Sequence, residues 1–91
     1  MKKLVIAFLS SIVFLTTAFV ADGAVEYPAG GEWKYGVGVT GSYSNYLHNT
    51  RRHSATVKKG SKEDYEAKSA KEWAKARLFE YSGCEFFYNV L

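Results

Sequence analysis

Hydrophobic positions along this chain fall into two regimes. From Leu4 to Ala21 no residue is charged, and Leu, Val, Ile, Ala and Phe dominate. Beyond that block the apolar residues come in short runs with polar residues between them. Trp33, Tyr35, Val37 and Val39 alternate with Glu32, Lys34, Gly36, Gly38 and Thr40, and period two over nine positions predicts a half-buried strand. Gly36 and Gly38 lie on its opposite face and leave room for a ring from another strand. Gly41 permits a turn or bulge, and tyrosine-rich Ser42–His48 predicts a second strand. Asn49 to Arg52 reads as an exposed connection. His53 to Lys58 alternates again, with Ala55 and Val57 on one side and Ser54 and Thr56 on the other.

The remaining segments are less regular. Val25 to Gly31 holds Pro28 and the Gly30-Gly31 pair, which reads as an irregular leader. Lys59 to Asp64 reads as a polar loop. Tyr65 to Tyr81 fits two patterns. Ala70, Trp73, Ala74, Arg77, Leu78 and Tyr81 fall at helical spacing among good helix formers. Yet Trp73 to Leu78 also reads as a strand with Ala74, Ala76 and Leu78 on one face. Propensity alone favours the helix. Ser82-Gly83 signals a turn, and Cys84 to Leu91 a terminal strand.

The apolar block changes the picture because of what flanks it. Met1-Lys2-Lys3 precedes it and small residues follow, the order of a cleavable secretory signal peptide, assigned to residues 1–24. Ala21-Asp22-Gly23 is the cleanest small-x-small site, and cleavage is placed between Ala18 and Ala24. The block is also long enough to span a bilayer. Ser10, Ser11, Thr16 and Thr17 dilute it, and no Lys/Arg cluster follows to stop transfer. Counting from Val25, 67 residues remain of 91, with ten Lys and Arg against eight Asp and Glu, a net charge of +2. One domain, residues 25–91, is expected. Cys84 is the sole cysteine, so no internal disulfide forms; it is either a small apolar side chain in a strand or a thiol for pairing between chains. Twelve aromatic residues in the mature segment are the alternative source of a core. Self-association would stabilise a domain this small further.

The candidate chemistry is that of binding. Tyr43, Ser44, Asn45, Tyr46 and His48 are the densest set of hydrogen-bonding groups flanked by rings, suited to sugar hydroxyls and a pyrophosphate, with Arg51 and Arg52 beside them as anion ligands. A cross-strand aromatic ladder explains the tyrosines equally well. His48 and His53, five apart across a turn, are placed to face one another, with no neighbouring ligands to complete a metal site. No aspartate stands near Ser54 and His53 to build a triad, so no enzyme is expected and no cofactor is implied. Export and the low net charge argue against nucleic acid. A helix over Tyr65 to Tyr81 would mix acids with bases on its polar face, which weakens attraction to anionic lipid.

Five blocks, GGEWKYGVG (Gly30–Gly38), YSNYLH (Tyr43–His48), HSATV (His53–Val57), EWAKA (Glu72–Ala76) and FFYNVL (Phe86–Leu91), resemble the lactococcin 972 family of secreted bacteriocins in order and spacing. The resemblance implies an all-β fold, a small antiparallel β-sandwich without disulfides behind a cleavable signal peptide, and on that ground Trp73 to Leu78 becomes a strand. It implies an exported antibacterial protein, associated with homodimers, acting on cell-wall synthesis through lipid II without forming pores. Its partners would be an envelope precursor or the membrane surface of target cells, with dedicated immunity and transporter proteins in the producer. The ligand-binding residues chosen from side-chain chemistry, and not from the resemblance, are Tyr43, Asn45, Tyr46, His48, Arg51, Arg52 and His53. Cys84 and the charged loop Lys59 to Lys71 depart from the family pattern. A secreted structural or adhesion module assembling through strand edges is the alternative.

Overall fold

Residues 23–91 are described by the structure, a computed structural model. They form β1 (Ala24–Glu26), a 3-10 turn (Pro28–Gly30), β2 (Glu32–Gly38), β3 (Gly41–Leu47), β4 (His53–Lys59), β5 (Lys62–Lys68), β6 (Ala74–Leu78) and β7 (Glu85–Val90). Every pairing is antiparallel. One sheet has the order β1-β2-β3-β6 and the other β5-β4-β7, and the two stack as the expected β-sandwich. Apart from Gly23 and Ala24, the expected signal segment lies outside the described residues.

Register fixes which end is which. The two-residue β2–β3 turn, Gly38↔Gly41, and the β4–β5 turn, Lys59↔Lys62, lie at the same end as residues 79–84. At this turn end Gly41 has φ +116°, and a Cβ there would collide with the Leu78 carbonyl, so the close approach of β3 to β6 requires glycine. The opposite, histidine end carries the 3-10 turn, the β3–β4 connection and residues 69–73.

The core is aromatic, as the composition suggests. Trp33 stacks on Tyr35 at 4.1 Å, Tyr88 lies 5.0 Å from Trp33 and 4.8 Å from Tyr46, and Tyr46 meets His53 edge-on at 5.7 Å. Both sheets contribute, so these rings hold them together. Ala55, Val57, Ala74 and Ala76 fill the remaining space. Within it, Ser44 Oγ accepts a hydrogen bond from the Trp33 indole (2.9 Å) and donates to the Phe87 carbonyl (2.8 Å), joining three strands.

Several expectations change. The supposed leader contains β1, which pairs with β2, and the Pro28–Gly30 turn, held by the Tyr46 hydroxyl on the Pro28 carbonyl. Its Pro and Gly mark one local turn, not an irregular stretch. The first strand ends at Gly38 and leaves Val39 at the turn tip. The polar loop is a hairpin whose return strand, β5, runs to Lys68; it alternates little because it is an edge strand with much of its surface in water. No helix forms over Tyr65 to Tyr81, because Ala74 and Ala76, 0% and 1% exposed, fit beneath the other sheet where longer side chains would not. The strand there starts at Ala74, with Trp73 just before it. Cys84 is buried, immediately ahead of β7.

Candidate functional site

Pleating divides the residues proposed from sequence between two faces. On β3, Ser42, Ser44 and Tyr46 point inward, while Tyr43 and Asn45 point out from the four-stranded sheet. Tyr46 is fully buried, and its hydroxyl is spent on the Pro28 carbonyl at 2.9 Å. Burial raises its phenol pKa above the ordinary range, with the neighbouring Tyr88 adding to the effect. His53 is also fully buried; Nδ1 lies 2.7 Å from the Arg51 carbonyl oxygen and Nε2 2.6 Å from that of Glu72. Tyr46 and His53 therefore offer no surface to an external ligand and organise the core instead.

His48 is buried at the histidine end. Its Nδ1 accepts the backbone N–H groups of Thr50 (3.3 Å) and Arg51 (3.1 Å), which leaves Nε2 as donor to the Ala29 carbonyl at 3.1 Å. The two histidine rings do lie near one another, 6.4 Å between centroids, but their nitrogens face backbone groups. Arg51 and Arg52 are exposed on the connection between them, and the Arg51 guanidinium donates to the Leu91 carbonyl at 2.9 Å. The seven residues thus fall into three places: two on the outer sheet face, two inside, and three at the histidine end.

What the structure adds to Tyr43 and Asn45 is a set of cross-strand neighbours. One row of the sheet reads Lys34–Asn45–Lys75 and the next Gly36–Tyr43–Arg77, all on the outward face of β2, β3 and β6. A Cβ placed on Gly38 would lie 3.8 Å from the Tyr43 ring, an ordinary contact, so the expected close approach of a ring does not require glycine at this position. Lys34 Nζ sits 5.2 Å over the Trp73 ring, a cation–π contact, and 3.9 Å from Glu32. Among the described residues Lys75 and Arg77 form no ion pair within 4.0 Å. Asp64 and Glu66, on the inward side of β5, instead accept the backbone N–H groups of Arg77 and Lys75 at 2.8 Å each and close the free edge of β6.

The outer face therefore carries three cations against one carboxylate, Glu32, with an amide and a phenol between them. That combination suits a phosphate-bearing ligand with hydroxyls. Lys34, Trp73, Lys75 and Arg77 are absent from the residues chosen by sequence. Their signal was present in the β2 alternation and in the strand reading of Trp73 to Leu78, since placing Ala74 and Ala76 inward turns Lys75 and Arg77 outward.

Comparison with known proteins gives one match. No curated protein and no solved structure matches the chain. The profile of the bacteriocin (lactococcin 972) family matches residues 29–88, which takes in every strand from β2 to β6 and most of β7. With the match covering most of the chain, and with the all-β sandwich and the five ordered blocks in agreement, this protein belongs to the lactococcin 972 family of bacteriocins.

Proposed function

We propose that this bacteriocin is secreted and binds an anionic cell-envelope precursor of target bacteria, a sugar-pyrophosphate lipid such as lipid II, and so blocks cell-wall synthesis without covalent chemistry. The observation that carries the reading is the grid of Lys34, Asn45, Lys75, Tyr43 and Arg77 on one exposed sheet face. A guanidinium and two ammonium groups match phosphate oxygens, and the amide and phenol match sugar hydroxyls. The sheet fixes the backbone spacing of all five, so the ordering cost on binding falls on the exposed Lys and Arg side chains.

Co-sedimentation with vesicles containing or lacking lipid II tests it. Binding is expected to rise with lipid II and to fall about tenfold or more for Arg77→Glu or Lys34→Glu, the scale of one lost charge-assisted contact. The Arg51 and Arg52 patch is tested beside it. A loss in Arg51→Ala/Arg52→Ala with the face variants unaffected moves the ligand to the histidine end. Equal binding with and without lipid II removes the precursor reading.

A further inference from the structure

Both histidines hold the backbone of one residue, Arg51. His48 Nδ1 accepts its N–H at 3.1 Å, beside that of Thr50 at 3.3 Å, and His53 Nδ1 lies 2.7 Å from its carbonyl oxygen. The same two histidines reach a second loop. His53 Nε2 lies 2.6 Å from the Glu72 carbonyl oxygen, and the His48 carbonyl accepts the Lys71 N–H at 2.9 Å. Residues 49–52 and 69–73 are thus joined through two buried imidazoles, 6.4 Å between centroids. Left-handed backbone gathers at the same place. Lys71 has φ 74°, and Ala29, whose carbonyl faces His48 Nε2, has φ 54°. Non-glycine residues keep such angles only where their surroundings over-determine them.

The partners fix how many protons each ring carries. His48 meets two N–H donors at Nδ1 and an acceptor at Nε2, so it is neutral, with its proton on Nε2. His53 meets a carbonyl oxygen at both nitrogens, each at or below the short end of ordinary hydrogen-bond distances. A neutral ring there would aim a nitrogen lone pair at one of those oxygens. We infer that His53 is a buried imidazolium beside a neutral His48, and that this one-charge pair is a pH-sensitive latch on the histidine end. Two charge-assisted bonds offset the cost of burying the charge.

Among the described residues no carboxylate is bonded to the His53 ring. Tyr46 meets it edge-on at 5.7 Å with its hydroxyl on the Pro28 carbonyl, and Val90 pairs with His53 from β7. From β5, Lys68 is the register partner, and its ammonium lies 4.0 Å from the Glu72 carboxylate. Lys71 Nζ turns to the Asn49 carbonyl, the Arg51 guanidinium to that of Leu91, and Arg52 is exposed. A second charge on His48 is therefore disfavoured by the first. The latched fold holds one proton more on His53 than a neutral ring has, so that contribution is present at low pH and lost as pH rises. On His48 the sign is opposite, and the contribution is lost as pH falls. A proton on Nδ1 leaves the Thr50 and Arg51 N–H groups without an acceptor. Opening at either end releases the two loops and with them Arg51, Arg52 and Lys71.

The test uses the purified protein with isotope-labelled histidine rings and no ligand, so its outcome is independent of the envelope-precursor reading. Near neutral pH, nuclear magnetic resonance of the rings is expected to show both His53 nitrogens protonated and, on His48, Nε2 alone. An unprotonated nitrogen on His53, or a second proton on His48, overturns the inference. Amide exchange, corrected for intrinsic rates, is then followed from about pH 5 to about pH 9, across the ordinary range of imidazole titration. Protection of Thr50, Arg51, Lys71 and Glu72 is expected to fall about tenfold or more toward each end, the scale of one lost hydrogen bond to a charged group. Amides between β2 and β3 should hold. Constant protection across the range overturns the latch. His48→Gln keeps an acceptor and a donor but does not titrate, so it should lose the acid limb and retain the alkaline one. An acid limb unchanged in that variant also overturns it.

Discussion

Replacing Ser44 by alanine removes one oxygen that serves two sheets. Its hydroxyl is fully buried, accepts from the Trp33 indole at 2.9 Å and donates to the Phe87 carbonyl at 2.8 Å. A buried polar group left unpaired costs about 1–3 kcal/mol. Trp33 is only 6% exposed, so its indole N–H bears the larger share. The carbonyl bond is partly buried and adds less. Together they predict a loss on the order of 2–4 kcal/mol, which in a domain of this size lowers Tm by about 10–25 °C. Thermal and urea unfolding followed by tryptophan fluorescence and near-ultraviolet circular dichroism measure it. The reasoning also predicts coupling: in a Trp33→Phe background no indole N–H remains to be orphaned, so Ser44→Ala should cost at least about 1 kcal/mol less there. A Ser44→Ala variant within about 0.5 kcal/mol of wild type, or an equal loss in both backgrounds, refutes the relay.

Three further outcomes are expected. Desolvation raises the pKa of Tyr35, Tyr46 and Tyr88, with a hydrogen bond to Glu26 also acting on Tyr35. Below about pH 10 the phenols are protonated in both states and stability is unaffected; above it the unfolded chain releases protons that the fold retains, so stability falls as pH rises. Melting temperatures unchanged between pH 8 and 11 would contradict this. Replacing both Asp64 and Glu66 by alanine frees two N–H groups on the edge of β6. It should cost on the order of 1–2 kcal/mol and promote edge-to-edge association, read by unfolding and by light scattering, and a strictly monomeric variant of full stability would sink the edge-closing role. Cys84 is 4% exposed, so a thiol reagent should label it only at the rate of opening; immediate labelling of the folded protein would show the site to be open.

The histidine end shows how placement changes the meaning of residues. HSATV and YSNYLH are conspicuous in sequence for their polar and aromatic content, and that content suggests a surface. Yet Tyr46 and His53 are among the most buried residues described, with each polar atom on a backbone carbonyl. A buried ring with a satisfied polar group and a ligand-binding ring have the same local sequence. Only the pleat, which alternates Tyr43 and Asn45 outward with Ser44 and Tyr46 inward, separates them.

By itself the sequence determined the strands with a strong two-residue period, since in β2 alternation and burial are one physical fact: Trp33 and Tyr35 face the core, and Lys34 between them faces out. It also determined the family, because five ordered blocks do not depend on knowing where each side chain points. Tertiary structure alone decided β5, and β6 was a strand in sequence only by the family resemblance, against its local propensity. KEDYEAK and AKARL have the local chemistry of helices, and a chain cannot know from its neighbours in sequence that Ala76 must pair with Ser44 or Glu66 with Ala55. Those pairings join residues ten or more positions apart, and burying Ala74 and Ala76 between the sheets outweighs a helix propensity worth only tenths of a kcal/mol per residue. The cationic face follows from the same decision, for Lys75 and Arg77 stand beside Asn45 and Tyr43 only once β6 is a strand.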